Sequence, residues 1–334
     1  MQPPSPELIF ATINAHHRTA ALKAAIELDL FTAIGEGART AAAIAGCSRA
    51  AERGVRILCD YLVIIGLLAK DSNAYTLTPE SAAFLDRRSP AYIGDAVQFL
   101  NSSLMMDAFA QLTGSVRAGG TTAIPGGTMA PEHPIWVEFA RSMMSLMRMP
   151  AEAIAEIVGA AAAGPMRVLD IAAGHGVFGI TIARHNPQAQ IVAADWGSVL
   201  ALAGENAEAA GIGDRYKLLP GSAFDIDFGE PYDLVLLTNF LHHFDPPTCG
   251  KLLAKVHRAL KPGGRAATLD FVPNDDRVTP PTPAAFSLIM LATTEKGDAY
   301  TFAEYDRMFH EAGFARSELH PLPGNMSQVI VSFR

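Results

Sequence analysis

The chain has 334 residues, of which 49% are hydrophobic and 18% charged, with a formal net charge of −8. That length accommodates two domains of ordinary size, and that composition supports a large core and excludes a disordered chain. The acid excess argues against a general nucleic-acid partner, and no uninterrupted apolar run reaches the roughly 20 residues of a membrane helix.

Cys47, Cys59 and Cys249 are scattered and form no CxxC pair. They read as reduced thiols, which implies a cytoplasmic setting. The start, Met1 to Glu7, has no basic stretch followed by an apolar one, so no signal peptide is expected.

Residues 8–35 read as helices, with Leu22, Ala25, Ile26, Leu30 and Phe31 at helical spacing and Gly35 and Gly37 as the stop. Thr40 is placed to cap a short helix over Ala41–Ala45 that stops at Gly46. Ser48 is the expected cap of a longer helix with Val55, Leu58, Leu62 and Ile65 on its apolar face, ended by Gly66. Leu67–Ala69 and Tyr75–Leu77, joined through Asp71-Ser72-Asn73, predict a small β-hairpin. Short helix, longer helix and hairpin make a winged helix, here given bounds of 1–90. Such a module suggests DNA binding, but these 90 residues hold nine Lys/Arg and nine Asp/Glu. Phosphate contacts dominate DNA affinity, so the module reads as a dimer or interaction surface.

Residues 91–163 are predicted mainly helical, rich in methionine, and broken by the loop Gly119–Gly127. Trp136, Phe139, Met143, Met144 and Met147 share one helical face. They are either core or the wall of an adaptable pocket for an apolar or aromatic molecule.

Gly164-Pro165 punctuates the chain, and from Met166 onward strands and helices alternate. Strands are predicted near 166–171, 190–194, 216–219, 232–238, 265–272, 314–320 and 327–333. Helices are predicted near 177–185, 198–210, 247–260 and 301–312. This alternation specifies an α/β, doubly wound, mostly parallel sheet whose ligand sits at the strands' carboxyl ends.

Four motifs fall at those ends. The first is Val168-Leu169-Asp170-Ile171-Ala172-Ala173-Gly174-His175-Gly176, a strand running into a glycine turn and a helix start. Gly174 and Gly176 let backbone approach a ligand where a Cβ would collide. The pattern Gly174-x-Gly176-x-x-Gly179 fits dinucleotide binding only weakly. Asp170 inside the strand would repel a pyrophosphate but not a cationic ligand. The second motif is Asp195, which ends the next strand and can accept bonds from ribose hydroxyls. Together they favour S-adenosylmethionine (SAM) over NAD, since SAM has a ribose and a cationic end but no phosphate. The third motif, Gly221-Ser222-Ala223-Phe224, and Trp196 beside Asp195 offer aromatic partners for an adenine or simply core rings.

The fourth motif is Asn239-Phe240-Leu241-His242-His243-Phe244-Asp245. A histidine at a strand's carboxyl end suits general-base work on a hydroxyl near neutral pH. One of the two adjacent imidazoles is expected to face the site, with Asp270 of the following strand orienting it. Adjacent histidines rarely bind one ion, and no ligand set accompanies them, so no metal is expected.

With Ala259-Leu260-Lys261-Pro262-Gly263-Gly264 and Gly297-Asp298-Ala299-Tyr300-Thr301-Phe302 added, the chain resembles the SAM-dependent O-methyltransferases of caffeate and hydroxyindole type, in a bacterial-like form. The resemblance covers nearly the whole chain. It implies a class I methyltransferase, Rossmann-like domain at 164–334, a helical pocket region at 91–163, and a homodimer made through the N-terminal winged helix, with no nucleic acid or membrane as partner. It implies SAM as methyl donor and a small acceptor, with His242 catalytic and Asp270 orienting it. The cofactor would meet Asp170, Ala172, Gly174, Gly176, Asp195, Trp196, Ser222, Ala223, Phe224 and Asn239. The acceptor would meet Phe139, Met143, Met147, Phe286 and Met290. Departures from the family pattern are His243 for an aspartate, Ser222 for an aspartate, Thr238 for a lysine, and Ala299, next to Asp298, for a second catalytic glutamate. Methylation of carbon or nitrogen, an oxidoreductase using NAD, and a DNA-binding regulator stay as alternatives.

Overall fold

The structure is a computed structural model and describes residues 4–123, 127, 132–133, 135–229 and 231–334. The chain forms two compact units, Met1–Ser102 and Ser103–Arg334. Among the described residues no helix is long and apolar enough to cross a membrane.

The first unit runs α1 (Glu7–Ile13), α2 (Ala15–Glu27), α3 (Leu30–Gly35), α4 (Ala41–Ser48), α5 (Glu52–Ile64), β1 (Leu68–Asp71), β2 (Ala74–Leu77), α6 (Pro79–Phe84) and α7 (Ala96–Leu100). Val55, Cys59 and Leu62 of α5 are buried, one stripe at helical spacing, against Leu30, Phe31 and Ile44. β1 and β2 pair antiparallel from Leu68–Leu77 to Asp71–Ala74, the expected hairpin. Thr40 caps α4 by accepting from the Ala43 N–H. Two expectations need correction. Gly46 does not stop α4, which continues to Ser48 and ends where Arg49 turns left-handed; a glycine costs only about 1 kcal/mol within a helix, and the buried Ile44 and Ala45 anchor this one. Ser48 therefore caps nothing, and α5 starts later, after Ala51, without a side-chain cap.

The second unit begins with α8 (Ser103–Ala110), α9 (Leu112–Ala118) and α10 (Ile135–Ile157). The expected loop at 119–127 lies partly outside the described residues. The α/β portion follows: β3 (Met166–Ile171), α11 (Val177–His185), β4 (Ala189–Asp195), α12 (Gly197–Ala209), β5 (Tyr216–Pro220), β6 (Tyr232–Thr238), α13 (Pro246–Ala259), β7 (Leu260–Asp270), α14 (Pro281–Thr293), α15 (Phe302–Glu311), β8 (Arg316–His320) and β9 (Gln328–Phe333). The sheet order is β5-β4-β3-β6-β7-β9-β8, with β9 antiparallel to both its neighbours and the rest parallel. β7 starts at Leu260, which already pairs with Tyr232, and it stops at Asp270 rather than 272. Helix α14 was not expected from the sequence.

Side chains alternate across this sheet. Leu169 and Ile171 join Val235, Leu237, Leu252, Val256, Tyr305 and Phe309 in one core. Asp170, between them, points the other way and bonds the start of α11. Strand order reverses between β3 and β6, which puts the crevice beyond their carboxyl ends.

Candidate active site

The glycine turn after β3 is tied down by the next strand. The Gly174 N–H donates to Asp195 Oδ2 at 2.9 Å, and the Trp196 N–H donates to Asp195 Oδ1 at 2.7 Å. Each carboxylate oxygen keeps acceptor capacity beyond these bonds. Burial pushes the Asp195 carboxyl up to about 6, against those two bonds. A Cβ on Gly174 would stand in open space, with only the Ala172 carbonyl at 3.9 Å, so backbone is bared there.

The three glycines divide their work. At Gly176 a Cβ would collide with the Tyr216 hydroxyl at 2.6 Å, so this position serves packing and not ligand approach, contrary to the sequence expectation. At Gly179 a Cβ would crowd Ile191 and Asp170, and its N–H donates to Asp170 Oδ2 at 3.0 Å. Asp170 is fully buried, and its other oxygen has no hydrogen-bond partner among the described residues. Burial pushes its carboxyl up to about 7.

Two hollows open over these strand ends. The first is walled by Trp136, Phe139, Ala172–His175, Asp195, Trp196, Thr238–Phe240 and His243, among others. The second is walled by Trp196, Gly221–Asp225, Phe240 and Phe244, and shares Ala172, Asp195, Trp196 and Phe240 with the first. Among the described residues their walls include no lysine and no arginine; the acidic residues there are Asp195 and Asp225. Ala172 (φ 55°) and Asn239 (φ 52°) directly follow the adjacent strands β3 and β6 in the left-handed conformation. Such strain gathers at ligand sites. The Asn239 amide donates to Met147 Sδ at 3.4 Å, and its Oδ1 is buried without a partner among the described residues.

Of the predicted cofactor set, Ala172, Gly174, Asp195, Trp196, Ser222, Ala223, Phe224 and Asn239 line the hollows; Asp170 and Gly176 stand behind them. Of the predicted acceptor set, Phe139 lines the first hollow and Met147 touches Asn239. Met143 and Met290 are buried but are not walls of either hollow.

The two histidines sit on a short turn, Leu241–His243, after β6. His242 Nδ1 lies 2.6 Å from Asp270 Oδ1, with side-chain exposures of 4% and 0%. Asp270 Oδ1 also accepts the Phe271 N–H at 2.8 Å, and Oδ2 accepts the Tyr305 hydroxyl at 2.7 Å. The Phe286 ring packs edge-on to the His242 imidazole at 4.8 Å and stacks on Phe271 at 3.7 Å. His243 is the imidazole that walls the first hollow, edge-on to Trp136 at 5.3 Å. Burial, then the neighbouring His242, hold it well below the usual histidine range, so it is neutral. Asp298 is engaged by Arg277 at 3.2 Å, while its N–H donates to the His242 carbonyl. Among the described residues no group of three His, Cys, Asp or Glu is placed to hold a metal ion.

Three contributors escaped sequence reasoning. His175 walls the first hollow, accepts the Val177 N–H at 3.1 Å, and is pushed down to about 4 by burial. Lys255 of α13 donates to the carbonyls of Ala223, Phe224 and Ile226 at 2.9, 2.9 and 2.6 Å, bracing the second hollow's loop. Tyr305 bonds Asp270 across 35 residues of chain. The glycine turn's unassigned histidine hinted at the first; nothing in local spacing marks the other two.

Comparison with known proteins gives a consistent picture. The O-methyltransferase domain family matches residues 126–315, and the O-methyltransferase dimerisation domain matches 10–87. The tetracenomycin polyketide synthesis 8-O-methyl transferase of Streptomyces glaucescens is 28% identical over 315 residues, covering 90% of this chain and 88% of that protein. A crystal structure of a candidate O-methyltransferase from Nostoc punctiforme is 52% identical, with TM-score 0.95 and full coverage of both chains. Human N-acetylserotonin methyltransferase, solved with SAM, shares the fold at TM-score 0.86 and 22% identity, covering 100% of this chain and 98% of its own.

Proposed function

The chain belongs to the O-methyltransferase family, and from that premise we propose that it moves a methyl group from SAM to a hydroxyl of a small aromatic, polyketide-like acceptor, with His242 as general base. One observation carries the reading. Among the described residues the cleft has no lysine or arginine in its walls, and those walls include His243, whose neighbour His242 is held by a buried carboxylate. A pyrophosphate would find no cation there. A ribose would find Asp195, and an ammonium would find acidic and carbonyl oxygens.

The assignments follow the walls. Asp195 takes the ribose hydroxyls. Trp196, Ser222, Ala223 and Phe224 take the adenine. Gly174 and Asn239 take the amino-acid end, with the unpartnered oxygen of Asp170 behind them. Bound SAM supplies an electrophilic methyl on a sulfonium. The protein's residues align the acceptor and remove its proton. With Nδ1 engaged by Asp270, Nε2 of His242 is the nitrogen left to accept the hydroxyl proton, and Asp270 stabilises the imidazolium that results. Holding reactants in attack geometry supplies about 7–11 kcal/mol, which makes alignment the larger task. Phe139 in the first hollow, Met147 against Asn239 and Phe286 against His242 would form the acceptor side, apolar surfaces that suit a planar ring, with the buried Met143 and Met290 outside both hollows. The dimerisation-domain match supports a homodimer through the N-terminal unit.

The test pairs binding with product chemistry. S-adenosylhomocysteine should raise the melting temperature and NADH should not. Phenolic and polyketide-like acceptors incubated with labelled SAM should give O-methyl products by mass and NMR. Stabilisation by NADH alone would overturn the cofactor, and N- or C-methyl products would overturn the acceptor atom.

A further inference from the structure

The His242–Asp270 pair has a third member that the reaction scheme above does not use. Asp270 is fully buried, so both of its oxygens need donors. Oδ1 receives His242 Nδ1 and the Phe271 N–H. Oδ2 receives, among the described residues, only the Tyr305 hydroxyl, at 2.7 Å. A carboxylate has a broad, two-fold torsion at χ2, so the Tyr305 donor on Oδ2, together with the Phe271 N–H on Oδ1, holds the carboxylate plane that aims Oδ1 at the imidazole.

We propose that Tyr305 is a positioning residue for the methyl transfer, fixing through Asp270 which nitrogen of His242 is free to act on the acceptor. The inference rests on the reading of His242 as base. Tyr305 is itself held from two sides. Its ring is fully buried and packs edge-on to Tyr300 at 5.9 Å, whose hydroxyl donates to the Phe244 carbonyl. Its helix α15 starts in a capping box, Thr301 with Glu304, and Glu304 is gripped by Arg277 at 2.6 Å. Burial and the nearby Asp270 charge keep the Tyr305 phenol well above its usual ionisation range, so it remains a donor throughout the working pH range. The other titratable groups around this carboxylate are Cys249 from α13 and Tyr300, both pushed towards their neutral forms, and His243 beside His242.

Tyr305→Phe removes one oxygen and keeps the ring. Turnover should fall about tenfold, a fraction of the 10²–10⁴ that positioned acid–base groups contribute, while KM for SAM and acceptor stays unchanged. The acid limb of the pH profile should move to higher pH, because a carboxylate relieved of one donor accepts more strongly from the imidazolium. Asp270→Asn should be slower still, and Asp270→Asn/Tyr305→Phe no slower than Asp270→Asn alone, since Tyr305 acts only through that carboxylate. Wild-type turnover with an unmoved acid limb, or losses that simply add, would overturn the proposal. His242→Gln separates the two readings: an active His242→Gln sinks the base, whereas an inactive one beside an unaffected Tyr305→Phe sinks only the inference. Calorimetric binding of S-adenosylhomocysteine to each variant reports that the site is folded.

Discussion

The two halves of the cleft are built from different material. On the β3–β4 side, backbone makes the site: a bared Gly174, a left-handed Ala172, and a carboxylate at Asp195 fixed by two N–H groups within 22 residues of the turn. On the β6–β7 side, side chains make it: His242 of the turn after β6, Asp270 at the end of β7, Phe286 of α14 and Tyr305 of α15. Local turns fix the first half. The second exists only once four distant segments have packed. The first half should therefore fail in affinity when altered, and the second in rate.

The largest effect should come from the second half. His242→Gln should lower kcat by about 10²–10⁴ with S-adenosylhomocysteine affinity kept, measured by initial rates and calorimetry. A loss of affinity of the same size would erase the distinction. Next, Asp195→Ala should weaken that affinity by about ten- to a hundredfold, the worth of about 1.5–3 kcal/mol for hydrogen bonds to a charged group, with the acceptor's KM unmoved. Lys255→Met should raise the KM for SAM by a smaller factor, about tenfold or less. Its ammonium meets three carbonyls at one point, a geometry that the planar guanidinium of Lys255→Arg does not reproduce. The smallest effect belongs to Ala172→Gly. It should raise the ligand-free melting point slightly, since a left-handed alanine costs about 1–2 kcal/mol and an added glycine gives back about 0.5–1. No rise would mean that the turn is not strained.

The same contrast explains what the sequence disclosed. Five parallel strands, the helices between them and the glycine turn announce themselves through short-range pattern, and so does Asp195. Helix α14 did not. Its segment is mostly apolar and lacks the polar face that marks an amphipathic helix, although Pro281 and Pro283 both fit a helix's first turn. Gly176 was legible as a glycine but not in its purpose, because the Tyr216 hydroxyl that excludes a Cβ lies 40 residues further on. Neither Tyr305 nor Lys255 stands at a spacing that points to its partners. Asp270 was legible only because it ends the strand next to the histidines.

Asp170 has a consequence for any calorimetric study. Its carboxyl titrates near neutrality and keeps one oxygen unpartnered below the glycine turn. A ligand that brings an ammonium group close would drive that proton off, and the buffer would take it up. The heat of S-adenosylhomocysteine binding at pH 7 should then scale with the ionisation enthalpy of the buffer, and the slope counts the protons released. Identical heats in phosphate and Tris would place the cation elsewhere.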